Sequence, residues 1–136
     1  MDRRQQYARL GKTAGLGGVV VRSGVLNTLE RVPLRSADAF IAFSGLDRHL
    51  DESGHHVGRR RLSKRGPSEL RRLLYIAAMA AAKMKLWKPV YEHYWAKWLS
   101  TTAALVVIAR RIARTAWSVY THKTEFNPIR ITLNLT

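Results

Sequence analysis

The sequence predicts an all-α fold, a small helical bundle carrying one long basic loop, and three observations carry that prediction. Leu70, Leu73, Leu74, Ala77, Ala81 and Met84 recur at the three- and four-residue steps of a helix face, and Leu105, Ile108, Ala109, Ile112, Ala116 and Val119 do the same. Residues that start and stop helices flank the apolar stretches: Ser36, Pro67 and Ser100 at starts, Gly45 at an end. Unbroken alternation of apolar and polar residues, the pattern of a strand, is confined to the tail at 129–136, where a lone strand would need a partner.

Residues 1–12 are basic and are expected to form a frayed helix or tail. Thr13 to Gly18 form a glycine-rich turn. Val19 to Leu29 is apolar, and its β-branched residues and Gly24 set helix against strand; helix is preferred. Pro33 makes 31–35 a connector, because it lacks an amide proton and biases its predecessor away from helix. Ser36 can cap a short helix through Phe43, with Asp38 at the positive helix end and Gly45 as terminator.

Residues 46–66 lack an apolar period and repeat glycine at 54, 58 and 66, so they read as a long loop. A helix follows from Pro67, with Arg71 and Arg72 off its apolar stripe. Trp87 to Pro89 interrupts, and Val90 to Trp98 reads as a short aromatic helix. Trp87, Tyr91, Tyr94, Trp95 and Trp98 follow helical spacing and are expected to be a core stripe rather than a base-stacking surface. Ser100 caps a last helix to about Tyr120, with Arg110, Arg111 and Arg114 together on the face opposite its stripe. The chain thus divides into a basic tail at 1–12, one domain at 13–128 with parts at 13–45, 46–66 and 67–122, and a tail at 129–136.

The 136 residues hold 24 Lys and Arg against 9 Asp and Glu, a formal charge of +15, which points to a polyanionic partner. With no cysteine there is no disulfide scaffold, zinc-thiolate site or thiol nucleophile, and a reducing cytoplasm is the expected setting. The longest apolar run, Ala103 to Ala109, is far short of the ~20 residues that span a bilayer, so no membrane insertion is expected.

The densest chemistry lies in Ser53-Gly54, then Arg59-Arg60-Arg61-Leu62-Ser63-Lys64-Arg65-Gly66, then Leu70-Arg71-Arg72-Leu73-Leu74. Residues 59–72 hold seven Lys or Arg and one acid, Glu69. A basic loop running into a helix start offers side-chain cations, backbone amides and the helix dipole to a phosphate. Ser63, beside Lys64 and Arg65, suits phosphate binding. From its neighbours alone, Ser53 merely opens a Ser-Gly turn.

The order Ser-Gly, Leu-Ser-Lys-Arg-Gly, Leu-Arg-Arg-Leu-Leu resembles the C-terminal domain of the insertion sequence one-ten, one-sixteen and nine-oh-two transposases. These are bacterial DNA recombinases, some of them guided by an RNA. Arg35 to Asp47, Ala104 to Arg111 and Phe126-Asn127-Pro128 resemble the flanking segments of that family. The resemblance implies DNA transposition through a hybrid site, in which four metal-binding acids of a nuclease-like domain act with a serine of this domain. By position that serine is Ser53, with Arg59, Arg60, Arg61, Ser63, Lys64, Arg65, Arg71 and Arg72 on the nucleic acid.

The resemblance also makes the glycine turn a degenerate helix–hairpin–helix, with Gly15 and Gly17 offering backbone amides to a DNA phosphate. Ala14 and Gly18 stand where prolines are common, Arg48 replaces another proline, Arg60 a glycine and Pro67 an asparagine. The nine acids are scattered, so the chain is expected to be a truncated copy without the acidic domain. It would need no cofactor of its own, whereas that domain would need Mg2+. Asp47, Asp51 and Glu52 cluster with His49, His55 and His56, without a recognised metal-ligand spacing. The expected partners are DNA, a guide RNA in some members, a second copy or a separate acidic domain, and the expected place is the bacterial nucleoid. The rivals are a non-catalytic nucleic-acid-binding module and a basic surface for anionic membranes.

Overall fold

A computed structural model describes residues 3–13, 15–46 and 65–128. They form six helices: α1 (Arg3–Gly11), α2 (Val19–Arg31), α3 (Ala37–Ser44), α4 (Arg65–Ala82), α5 (Lys88–Trp98) and α6 (Thr101–His122). There is no strand among the described residues, and the protein is an all-α bundle, as the periodicity predicts. None of these helices is long and apolar enough to cross a membrane.

Helix α6 is the axis, and each of the other five packs on it. Its predicted stripe is buried from Leu105 to Val119, together with Ala104 and Ala113. Four alanines among these eight buried residues let neighbouring helices come close on several sides, where larger side chains would hold them apart. Both predicted serine caps form: Ser100 Oγ accepts from the Ala103 amide at 3.1 Å, and Ser36 Oγ from the Ala39 amide at 3.0 Å. Gly45 closes α3 in the left-handed conformation.

Tertiary packing decides α2 for helix. Val21, Val25, Leu26 and Leu29 are buried, and Gly24 lets α4 approach so closely that a Cβ there would collide with Leu73 Cδ1. The glycine that weakens α2 in isolation is what allows its contact with α4.

Four expectations need correction. Of the two forms expected for the basic start of the chain, a frayed helix or a tail, residues 3–11 take the helix, and it is packed rather than frayed. This helix, α1, buries Gln6 and Leu10 and runs antiparallel to α2, Arg3 meeting Asn27 and Glu30 while Arg22 lies over Tyr7. Helix α4 begins at Arg65, two residues before Pro67, and ends at Ala82, so Met84 lies beyond it and is exposed. Helix α5 starts at Lys88, with Pro89 in its first turn, where a missing amide proton costs nothing. Its aromatic stripe divides: Trp87 is fully buried, Tyr91 and Tyr94 are half-buried, and Trp95 and Trp98 are exposed.

Candidate nucleic-acid interface

Three regions could meet a polyanion. The first is the turn between α1 and α2. Gly15 has φ +95, and a Cβ there would sit 2.9 Å from Ile112 Cδ1, 3.1 Å from the Ala77 oxygen and 3.3 Å from Ala81 Cβ. It therefore wedges the turn against α4 and α6, and only a residue without a side chain fits. Gly17 is the opposite case: it is exposed, with open space around it. Arg22 holds the turn in shape. Its guanidinium donates to the Leu16 and Gly17 oxygens and lies 4.4 Å from the Tyr7 ring centre. Gly18 gives α2 no side-chain cap, and no acid sits in the first turn. The positive end of the α2 dipole is thus not neutralised by a side chain of its own turn.

The second region is where the chain leaves α3 and returns at α4. Arg110 Nε donates to the Leu46 oxygen at 2.7 Å. Arg71 is half-buried, and its guanidinium lies so near Gly45 that a Cβ there would meet it at 2.8 Å. Arg110 therefore holds the end of α3, and Arg71 packs beside it. Arg72 is exposed and forms a fork with Glu69, at 3.1 and 2.6 Å. That hydrogen bond holds the Glu69 carboxyl below the usual carboxylate range and raises the Arg72 guanidinium. Ser53, Arg59, Arg60, Arg61, Ser63 and Lys64 lie outside the described residues, and of Arg65 the structure gives only its place at the start of α4.

The third region is a groove of about 910 Å³ between α3, α5, α6 and residues 124–127. Its walls include Tyr94, Arg110, Arg111, Arg114, Trp117 and Phe126. Arg114 reaches Asp38 of α3 at 2.6 Å, with both side chains exposed, so this pair adds little to stability. Arg111 is half-buried, 5.9 Å from the ring centre of buried Trp87, and loss of water pulls its guanidinium below its ordinary value. The sequence places these three arginines on the face of α6 away from its stripe. Because α6 is central, α3 lies against that face too, and the arginines line a groove. Nothing in the α6 pattern marks α3 as the neighbour, since the contact joins residues 64 and 76 positions apart.

Among the described residues no three His, Asp or Glu side chains converge to hold a metal ion, and Glu30, Glu69 and Glu125 face arginines. A metal of the kind the expected chemistry uses finds no fitting group of ligands in this part of the chain. Against known proteins, the family model described as "Transposase IS116/IS110/IS902 family" matches residues 8–96. That span runs from the middle of α1 to near the end of α5 and includes Ser53, the 59–72 block and both turn glycines. No curated protein and no solved structure matches the chain.

Proposed function

The chain belongs to the IS116/IS110/IS902 transposase family, and from this premise we propose that it is the DNA-binding, serine-bearing part of a transposase acting in DNA transposition. The observation that carries the reading is that the matched span encloses Ser53 and the seven cations of 59–72 in one order. In this reading Arg59, Arg60, Arg61, Ser63, Lys64 and Arg65 bind the phosphates around the scissile bond, and Ser53 Oγ attacks phosphorus. The attack forms a serine phosphodiester and releases a sugar hydroxyl, which must take up a proton. A serine hydroxyl is a weak nucleophile until its surroundings activate it, and neutralising the phosphate lowers the barrier to its attack. The metal-binding acids of the family's chemistry would come from another domain, and no step proposed for these residues passes through a metal.

The described parts support this division of labour. Arg110 holds the Leu46 oxygen at the end of α3, and Arg71 packs beside Gly45 there. Gly17 and the uncapped start of α2 offer amides to a second phosphate, as in a helix–hairpin–helix, while Gly15 keeps the turn packed. Arg72 would have to leave Glu69 to take a phosphate.

The test is binding of duplex DNA across a salt series, with wild type beside Arg59→Ala, Arg60→Ala and Arg61→Ala. Each lost phosphate contact should lower the slope of log affinity against log salt by about 0.9. Unchanged slopes in all three would remove the loop from the interface. With the acidic domain supplied, Ser53→Ala should bind DNA normally and form no covalent complex. If Ser53→Ala still forms that complex, the serine is not the nucleophile and the chain is a binding module only.

A further inference from the structure

The aromatic side of α5 leads out of the arginine groove. Tyr94 lines the groove and stacks on Trp98, with ring centres 5.3 Å apart and planes 25° apart. Trp98 is 45% exposed, Trp95 43% and Leu99 72%. Positions 95, 98 and 99 are three and four apart and share one side of the helix end. Lys97 Nζ lies 5.4 Å from the Trp98 ring centre. Leu99 ends the helix at φ 52, in the left-handed region that leucine seldom adopts, while donating its amide to the Trp95 oxygen. Two tryptophans and a leucine open to water within five residues form the kind of apolar patch that marks a binding surface.

Charge narrows the occupant. Between Glu69 and Glu125 the sequence has one acid, Glu92, against ten Lys and Arg. A second copy of the chain carries the same formal charge of +15, so pairing two such faces would set like charges together. An anionic ligand with flat apolar faces meets both demands, and bases stacked inside a duplex cannot reach a tryptophan face.

We propose that Tyr94, Trp95 and Trp98 form a stacking platform for unpaired bases of single-stranded DNA, with Lys97 taking a phosphate beside it. The choice of DNA rests on the transposase reading; the stacking chemistry rests on the exposed rings. The match to the family ends at residue 96, so Lys97 and Trp98 lie beyond it. Stacking tolerates any base, so the platform holds a strand without reading its sequence.

The experiment titrates the 136-residue chain into a labelled oligothymidylate of about 20 nucleotides, read by fluorescence anisotropy and by quenching of tryptophan emission. The double variant Trp95→Ala/Trp98→Ala should lose roughly tenfold or more in affinity, with an unchanged salt slope, because stacking releases no counterions. Lys97→Ala should instead lower the slope by about 0.7, the single-strand value for one phosphate contact. Circular dichroism should match wild type in both, and the unfolding midpoint of the double variant should fall by no more than the loss of the Tyr94–Trp98 stack allows.

Three results would overturn the proposal. The double variant could bind the oligonucleotide as wild type does. Oligouridylate of the same length could bind more tightly than the DNA strand. The wild type could sediment as a dimer that the double variant disperses, with no change in oligonucleotide affinity, making the patch a self-association face. Duplex binding separates the two readings. If duplex binding depends on Arg59, Arg60 and Arg61 while the tryptophan variant changes nothing, only the platform fails. If wild type binds no duplex, the loop reading fails, and the oligothymidylate titration still decides the platform.

Discussion

Helices α5 and α6 follow one another with two residues between them, and both carry large apolar side chains at helical spacing. Their fates differ. α6 buries eight side chains between Ala104 and Val119, whereas α5 buries only Val90, with Trp87 just before it. The difference lies in side-chain size. Alanines at 104, 109, 113 and 116 let α6 be surrounded, while the bulk of Tyr94, Trp95 and Trp98 keeps the end of α5 at the rim. Periodicity reports that a segment is helical and which residues share a face; it does not report whether another helix covers that face.

Substituting tryptophans of one neighbourhood breaks the comparison most sharply. Trp87→Ala should cost ~3–5 kcal/mol, because it empties a fully buried site beneath Arg111. Trp98→Ala should cost about 1 kcal/mol or less, the worth of its stack on Tyr94. Urea unfolding followed by circular dichroism checks both. Equal costs would mean that the rim of α5 is as tightly held as the core.

The two turn glycines repeat the contrast at smaller scale. Gly15→Ala puts a methyl group against Ile112 of α6 and forces alanine to φ +95, so a loss of ~2–4 kcal/mol is expected from crowding and strain together. Gly17→Ala meets nothing and should stay within ~0.5 kcal/mol. If Gly17→Ala nevertheless weakens duplex binding while leaving the unfolding midpoint in place, Gly17 serves the ligand and Gly15 serves the fold.

How much of this was legible depends on the range of the interactions. The Ser36, Gly45 and Ser100 caps are local hydrogen-bonding devices, and the residues that make them stand beside the helices they bound, so the sequence displays them. The packing of α1 was not legible, because distant polar contacts hold it rather than an apolar stripe. Arg3 reaches Glu30, Gln6 Nε2 donates to the Tyr120 oxygen, and Arg9 reaches Glu125. The last two span more than a hundred residues, and no local pattern encodes them. The arginines of α6 were legible as a cluster but not as a groove, since α3 is what turns their face inward. Among the site residues, Gly15 and Gly17 look alike in sequence and differ only in what packs on them.

The weakest contrast is electrostatic. Glu69 and Arg72 are an exposed pair within one turn of α4. The Arg72 hydrogen bond lowers the folded-state pKa of Glu69 below its ordinary 4.5. A carboxylate depressed in this way stabilises the fold above its unfolded value and loses that contribution as the pH falls through the folded one. Wild type should therefore be slightly more stable than Glu69→Gln at pH 7, and the gap should close below about pH 4. Added salt at pH 7 should narrow the same gap, because exposed charges are screened. A difference between wild type and Glu69→Gln that survives both low pH and high salt would show that the carboxylate matters through packing, and would place this face of α4 with the covered centre rather than the rim.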